Sequence, residues 1–155
     1  MNPVHEKILK LLDDQGVKYE TQSHEAVTTS ADAARVRGVS MHAGAKALVL
    51  QGRKTGKHWL AVMPADLRLA DKKFEALVGE KISFAKAPED VTGCVKGSVP
   101  PFGSVLGLAT YCDKRLAENE TIHFNAGSLT DSVTMPYADY ARIEKPAFVE
   151  ITEPG

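Results

Sequence analysis

Lys46 opens the apolar run Lys46-Ala47-Leu48-Val49-Leu50, and further along Gly97-Ser98-Val99-Pro100-Pro101-Phe102-Gly103 combines glycines with paired prolines. A lysine brings a mobile positive point charge with three donors, able to hold a phosphate or a polarised carbonyl. Glycine lets backbone N–H groups approach a ligand without a side chain in the way, and proline stiffens the bend that presents them. Each stretch alone also has a plain structural meaning. A lysine at a strand start reaches water from a sheet edge, and a Gly-Pro stretch is a tight turn.

Other reactive residue types are dispersed. His5, His24, His42, His58 and His123 lack the paired spacing of a zinc site, and neither Cys94 nor Cys112 sits in a Cys-x-x-Cys pair, so no metal and no cofactor are expected. His24 reads as a surface or hydrogen-bonding residue, and Cys94 as a small buried hydrophobe. No Gly-x-Ser-x-Gly elbow occurs, which disfavours a covalent serine enzyme. Gly52 to Lys57 lacks the spacing of a phosphate loop and joins two strand-like runs, so it reads as a solvated turn.

Hydrophobic residues make up 43% and charged residues 25% of 155 residues, proportions of one globular domain spanning 1–155. A net charge of -1, from 19 basic and 20 acidic residues, excludes the global positive field of a strong duplex binder. Any RNA contact must be local, and no DNA partner is expected. Met1 to Lys7 holds no apolar export region and no later run is long enough for a bilayer, so no membrane partner and a cytoplasmic location with free thiols are expected.

The elements that must position Lys46 and the glycine-proline stretch follow from periodicity. Val4, Ile8, Leu11 and Leu12 give an opening amphipathic helix ended near Gly16. An extended piece over Val17 to Thr21 leads to Thr28-Thr29-Ser30, where Thr29 or Ser30 can cap a helix from Ala31 to Val36. Lys46–Leu50 and Trp59–Met63 form a hairpin, expected to be central. A helix follows over 69–77, then a short strand at Ile82-Ser83-Phe84 and a helical turn at Pro88 to Val91. The stretch from Gly93 to Gly107 is expected to be a shaped loop. Strands at 110–112, 121–125 and 132–135, a short helix at 137–142 and a last strand at 148–151 complete the chain. Without strict strand–helix alternation, the expectation is an α+β domain with a mixed, mostly antiparallel sheet and surrounding helices.

Gly44-Ala45-Lys46-Ala47-Leu48-Val49-Leu50 followed by Gly97-Ser98-Val99-Pro100-Pro101 resembles the lysine-led strand and Gly-x-x-x-Pro loop of the YbaK and prolyl-tRNA synthetase-associated editing domains. Gly93, Ala61 to Pro64, Leu69 with Asp71-Lys72-Lys73, Phe124 to Ser128 and Met135-Pro136 fit the same pattern in order, over roughly 24–151. The resemblance implies a YbaK-like, barrel-like arrangement of the sheet. It further implies a trans-editing deacylase that hydrolyses the ester of mischarged aminoacyl-tRNA, with tRNA(Pro) as one carrier and a synthetase as one partner. The rival expectation is a non-catalytic module that only binds tRNA, a nucleotide or a synthetase.

An aminoacyl ester is already activated, so its hydrolysis needs a positioned water, oxyanion stabilisation and a grip on the terminal adenosine. On the resemblance, Lys46 orients substrate and Gly97, Ser98, Val99, Pro100 and Pro101 present the oxyanion donors across one shared cleft. A ribose hydroxyl of the substrate assists the proton transfer. Thr28, Thr29, Ser30, Phe102, Gly103, Asn125 and Gly127 are the expected substrate contacts. Asn125 stands where alanine-clearing members carry histidine, which speaks against alanine as the amino acid removed. Arg35, Arg37, Lys54, Lys57, Lys72 and Lys73 are candidates for the acceptor stem.

Overall fold

The computed structural model describes residues 3–26 and 40–154, so Thr28, Thr29, Ser30 and the helix expected after them lie outside the described residues. Helix α1 (Pro3–Asp14) buries Val4, Ile8 and Leu12, one apolar residue per turn on one face, together with His5. Gly16, with φ +68°, ends it as expected.

Strand β1 (Glu20–Ser23) is followed by a 3-10 turn at Met41–Ala43 and then by β2 (Ala45–Gly52) and β3 (His58–Pro64). The last two form the expected hairpin, in register from Ala45 opposite Pro64 to Gln51 opposite His58. Its turn is fastened by the Glu80 carboxylate, which accepts from the Lys54 and Thr55 backbones and from the Thr55 hydroxyl at 2.7 to 3.0 Å. Helix α2 (Asp71–Val78), β4 (Ile82–Phe84), α3 (Pro88–Thr92) and the short α4 (Gly103–Leu106) come next. Strand β5 (Ala109–Asp113), a 3-10 stretch at Lys114–Glu118, β6 (Thr121–Asn125), β7 (Asp131–Pro136), α5 (Tyr137–Glu144) and β8 (Ala147–Val149) complete the described chain.

These strands build two sheets. One is antiparallel, ordered β1-β7-β6. The other is mixed, ordered β4-β2-β3-β5-β8, with β3 of the hairpin at its centre and parallel pairing from β3 through β5 to β8. The α+β class and the mixed sheet are therefore as the sequence suggests. A closed barrel is absent among the described residues: the two sheets meet at one parallel bridge, Gly44 to His123.

Alternation along β2 separates two cores. Ala45 and Val49 join Leu60, Val62, α1 and the antiparallel sheet in the larger one. Leu50 joins Trp59, Ala61, Met63 and Phe74 of α2 in the smaller one, on the opposite face. Two segments differ from expectation. The Gly93–Gly107 stretch contains α4, because Gly103 packs where a Cβ would collide with the Thr110 hydroxyl and the Leu108 carbonyl, closing a tight helical turn. The last strand is shorter than expected because the chain leaves the sheet to bury Ile151 and to pair Thr152 with Leu69. No helix among the described residues is long and apolar enough to cross a membrane.

Candidate active site

The bridge between Gly44 and His123 sets the site. Bridged residues in parallel strands point the same way, so Lys46 and Asn125, each two positions further on, leave their strands on one side, away from the larger core. Gly44 suits the crossing because an added Cβ would sit 3.0 Å from Ala65 and 3.2 Å from the His123 ring. The His123 Nε2 in turn contacts the Ser40 carbonyl at 2.9 Å.

Lys46 is half-buried, and its amine donates to the Leu67 carbonyl at 2.7 Å. Burial pulls its pKa below the ordinary lysine value; the nearby Asp66 carboxylate opposes that and the Arg68 guanidinium adds to it. The turn carrying Leu67 is itself clamped. His42 places Nδ1 2.9 Å from Asp66 and Nε2 2.9 Å from Glu118, so both ring nitrogens face carboxylates. These contacts raise the His42 pKa, the Asp66 hydrogen bond most, against some desolvation.

On β6, the Asn125 amide donates to the Gly97 carbonyl at 2.6 Å. Gly97 has φ +88°, which requires glycine for conformation, since a Cβ there would meet only Leu129 at an ordinary 3.5 Å. The Gly127 N–H donates to the Ser98 carbonyl at 2.9 Å, and the buried Tyr140 hydroxyl to the Pro101 carbonyl at 2.7 Å. The Ser98 N–H is engaged with Val95, whereas those of Gly97 and Val99 donate to no group among the described residues. The loop's Gly97, Ser98 and Pro101 carbonyls are thus all held by other parts of the chain.

A groove of about 700 Å³ opens beside Lys46, lined also by Leu48, Arg68, Leu69, Lys72 and Phe84. It extends toward α2 and β4, and no residue of 97–101 lines it. The groove at Lys46 is thus lined by none of the loop that the sequence reading placed across one shared cleft from it.

A profile of the aminoacyl-tRNA editing domain matches residues 24–143. The chain belongs to that family. Over 151 residues the editing domain is 34% identical to the multifunctional Ser/Thr-tRNA deacylase ProXp-y of Escherichia coli strain K12, covering 94% of this chain and 90% of that protein. Two solved structures share its fold: a hypothetical protein with TM-score 0.85 and 21% identity, covering 95% of this chain and 99% of the other, and a candidate trans-editing enzyme for prolyl tRNA synthetase with TM-score 0.82 and 22% identity, covering 99% of each.

Within the editing domain, Phe102 and Gly103, expected as substrate contacts, are packed in the core. Phe102 is wholly buried, edge-on to Phe124 and Tyr140, and Gly103 is packed against Thr110. Gly127 has φ +77°, and a Cβ there would lie 2.9 Å from the His5 backbone nitrogen, so its fixed role is to let α1 approach the loop. Burial raises the pKa of both thiols, that of Cys112 to about 12, which leaves them protonated and unreactive near neutrality. Sequence reasoning missed Leu67, Arg68, His42 with its two carboxylates, and Phe84. The first two sit in the turn that joins Pro64 to Leu69, a short stretch whose only sequence signal is its place between a strand and a helix.

Proposed function

We propose that this chain is a single-domain aminoacyl-tRNA deacylase that removes wrongly attached amino acids in the cytoplasm, with serine and threonine esters as the first substrates to consider. The observation that supports this reading is that Lys46 of β2 and Asn125 of β6, which holds the Gly97 carbonyl, leave their strands on the same side of the Gly44–His123 bridge. Likeness to a relative named for Ser/Thr-tRNA deacylation supports the amino acid class. Editing for tRNA(Pro), and a prolyl-tRNA synthetase partner, are suggested by the structural neighbour of that description.

In this reading Lys46 holds the acceptor end and orients the ester. Water attacks the acyl carbon, and the negative charge gathering on the carbonyl oxygen is met by the N–H groups of Gly97 and Val99, already fixed by the loop. The tetrahedral species collapses as the C–O bond to the ribose breaks. The proton lost by water reaches the departing ribose oxygen through the neighbouring hydroxyl of the same sugar. Products are the free amino acid and uncharged tRNA, and no side-chain nucleophile is consumed.

The test is a panel of mischarged tRNAs given to the native chain and to Lys46→Ala. Clearance of the Ser or Thr ester is expected, with kcat/KM falling on the order of 10² to 10³-fold in the variant while circular dichroism stays native, the scale of losing one oriented polar contact at a reacting ester. If the native chain binds tRNA and clears no ester, it is a binding module instead.

A further inference from the structure

The groove beside Lys46 does not end at the proposed ester site. A second hollow of about 180 Å³ shares Leu69, Asp71 and Phe84 with it and continues to Leu50 and Arg53. Together they form a track along β2 from Lys46 to Arg53 at the hairpin turn, roughly 23 Å for the seven residue steps at the usual strand rise.

The lining of this track is specific in kind. Leu48 and Leu69 give it an apolar floor, and Phe84 projects from the edge strand with 60% of its surface exposed. Phe84 is paired with Leu50, so both side chains lie on the face that carries the track. Lys46, Arg68 and Lys72 stand at one end and Arg53 at the other, against the carboxylates of Asp71 and Glu153. In a chain of net charge -1 this is a local surplus of cations around an uncovered aromatic ring. The segment bearing Arg68 is fixed, because the Arg68 carbonyl accepts from Glu153 and the Ala70 N–H donates to Ile151, at 2.9 and 2.7 Å. A flat ring between separated cations matches single-stranded nucleic acid, whose bases stack while phosphates are met on either side.

We propose that this track holds the unpaired nucleotides that precede the aminoacylated terminal residue, with a base on Phe84 and phosphates at Arg68, Lys72 and Arg53. The proposal rests on the reading that the ester lies at Lys46, and it extends that site in one direction, toward β4. The nucleotides enter from the hairpin end and the terminal adenosine reaches Lys46 last.

Two measurements on the full chain test it. The first is fluorescence anisotropy with a short single-stranded oligoribonucleotide ending in adenosine. Phe84→Ala is expected to weaken binding about tenfold, the low end of one base stack. Arg68→Gln with Lys72→Gln should reduce the slope of log affinity against log salt by roughly 1.4, at 0.7 per phosphate on a single strand. Phe148→Ala, which removes another exposed ring on β8, should bind as the native chain does. The second is deacylation kinetics, in which Phe84→Ala should raise KM about tenfold more for mischarged tRNA than for the same amino acid on adenosine alone. Native RNA affinity in both groove variants overturns the track, whatever the deacylation result. A native chain that clears no ester but loses RNA binding on Phe84→Ala overturns the catalytic reading and leaves the track standing.

Discussion

The Gly97–Pro101 loop and the segment from Pro64 to Lys72 each carry part of the proposed site, yet the fold holds them by opposite means. Three donors, Asn125, Gly127 and Tyr140, grip the Gly97, Ser98 and Pro101 carbonyls of the loop, and Ser98, Val99, Pro100 and Pro101 are buried. The other segment keeps Asp66, Arg68, Asp71 and Lys72 exposed and is tied through backbone pairing and the His42 contacts. The contrast separates two tasks. Donors aimed at a developing charge gain from being fixed beforehand, whereas a surface that meets a flexible strand needs long, adjustable cations.

If the loop is the preformed half, its supports should matter to the whole fold. Gly127→Ala is expected to have the largest effect, destabilising by roughly 3 kcal/mol, because it adds left-handed strain to a collision with the His5 backbone. Gly79→Ala, at φ +80° with open space around it, isolates the strain alone and should cost about 1 kcal/mol. Urea midpoints compare the two, and equal losses would mean that the approach of α1 to Gly127 carries no weight. Tyr140→Phe comes next. It strands the Pro101 carbonyl in the core, for about 2 kcal/mol, and should lower turnover more than it raises KM. A change in KM alone would place the loop among binding elements and remove its oxyanion role.

How far the sequence foretells each region follows from the range of the forces involved. Two apolar runs around a polar, glycine-containing turn expose the β2–β3 hairpin, and the Val4, Ile8, Leu12 spacing exposes α1, because both patterns are local. Lys46 stands out because a charge heads an apolar run. Helix α4 is hidden, since what closes it is the contact of Gly103 with Thr110, and glycine and proline in sequence suggest only a bend. Phe102 shows the same limit: adjacency to the glycine-proline stretch suggests a ligand contact, and tertiary packing against Phe124 and Tyr140 makes it core. The His42 clamp is the most distant from view. Its carboxylates lie 24 and 76 residues away, and the pairing of β3 with β2 and with β5 brings the segments that carry them to one imidazole.

That clamp gives the adjustable segment a titratable support, and so a way to ask whether the segment is held by charge or by packing. Asp66 and Glu118 face the ring, Arg115 lies 3.7 Å from Glu118, and the Asn119 amide caps the His42 carbonyl at 2.8 Å. Since the folded pKa of His42 is raised above its ordinary 6.5, the stabilisation it contributes is fully present below that value and is lost as pH rises through the folded pKa. The stability difference between the native chain and His42→Asn should therefore be greatest in mildly acidic solution and shrink toward alkaline pH. Chemical denaturation across that range reads it directly. The effect will be small, because the ring is partly open to water and its partners more so. A difference that stays level with pH would show the imidazole acting as a spacer between Asp66 and Glu118, and Lys46 would then depend on the shape of the Leu67 turn with no contribution from the charge beside it.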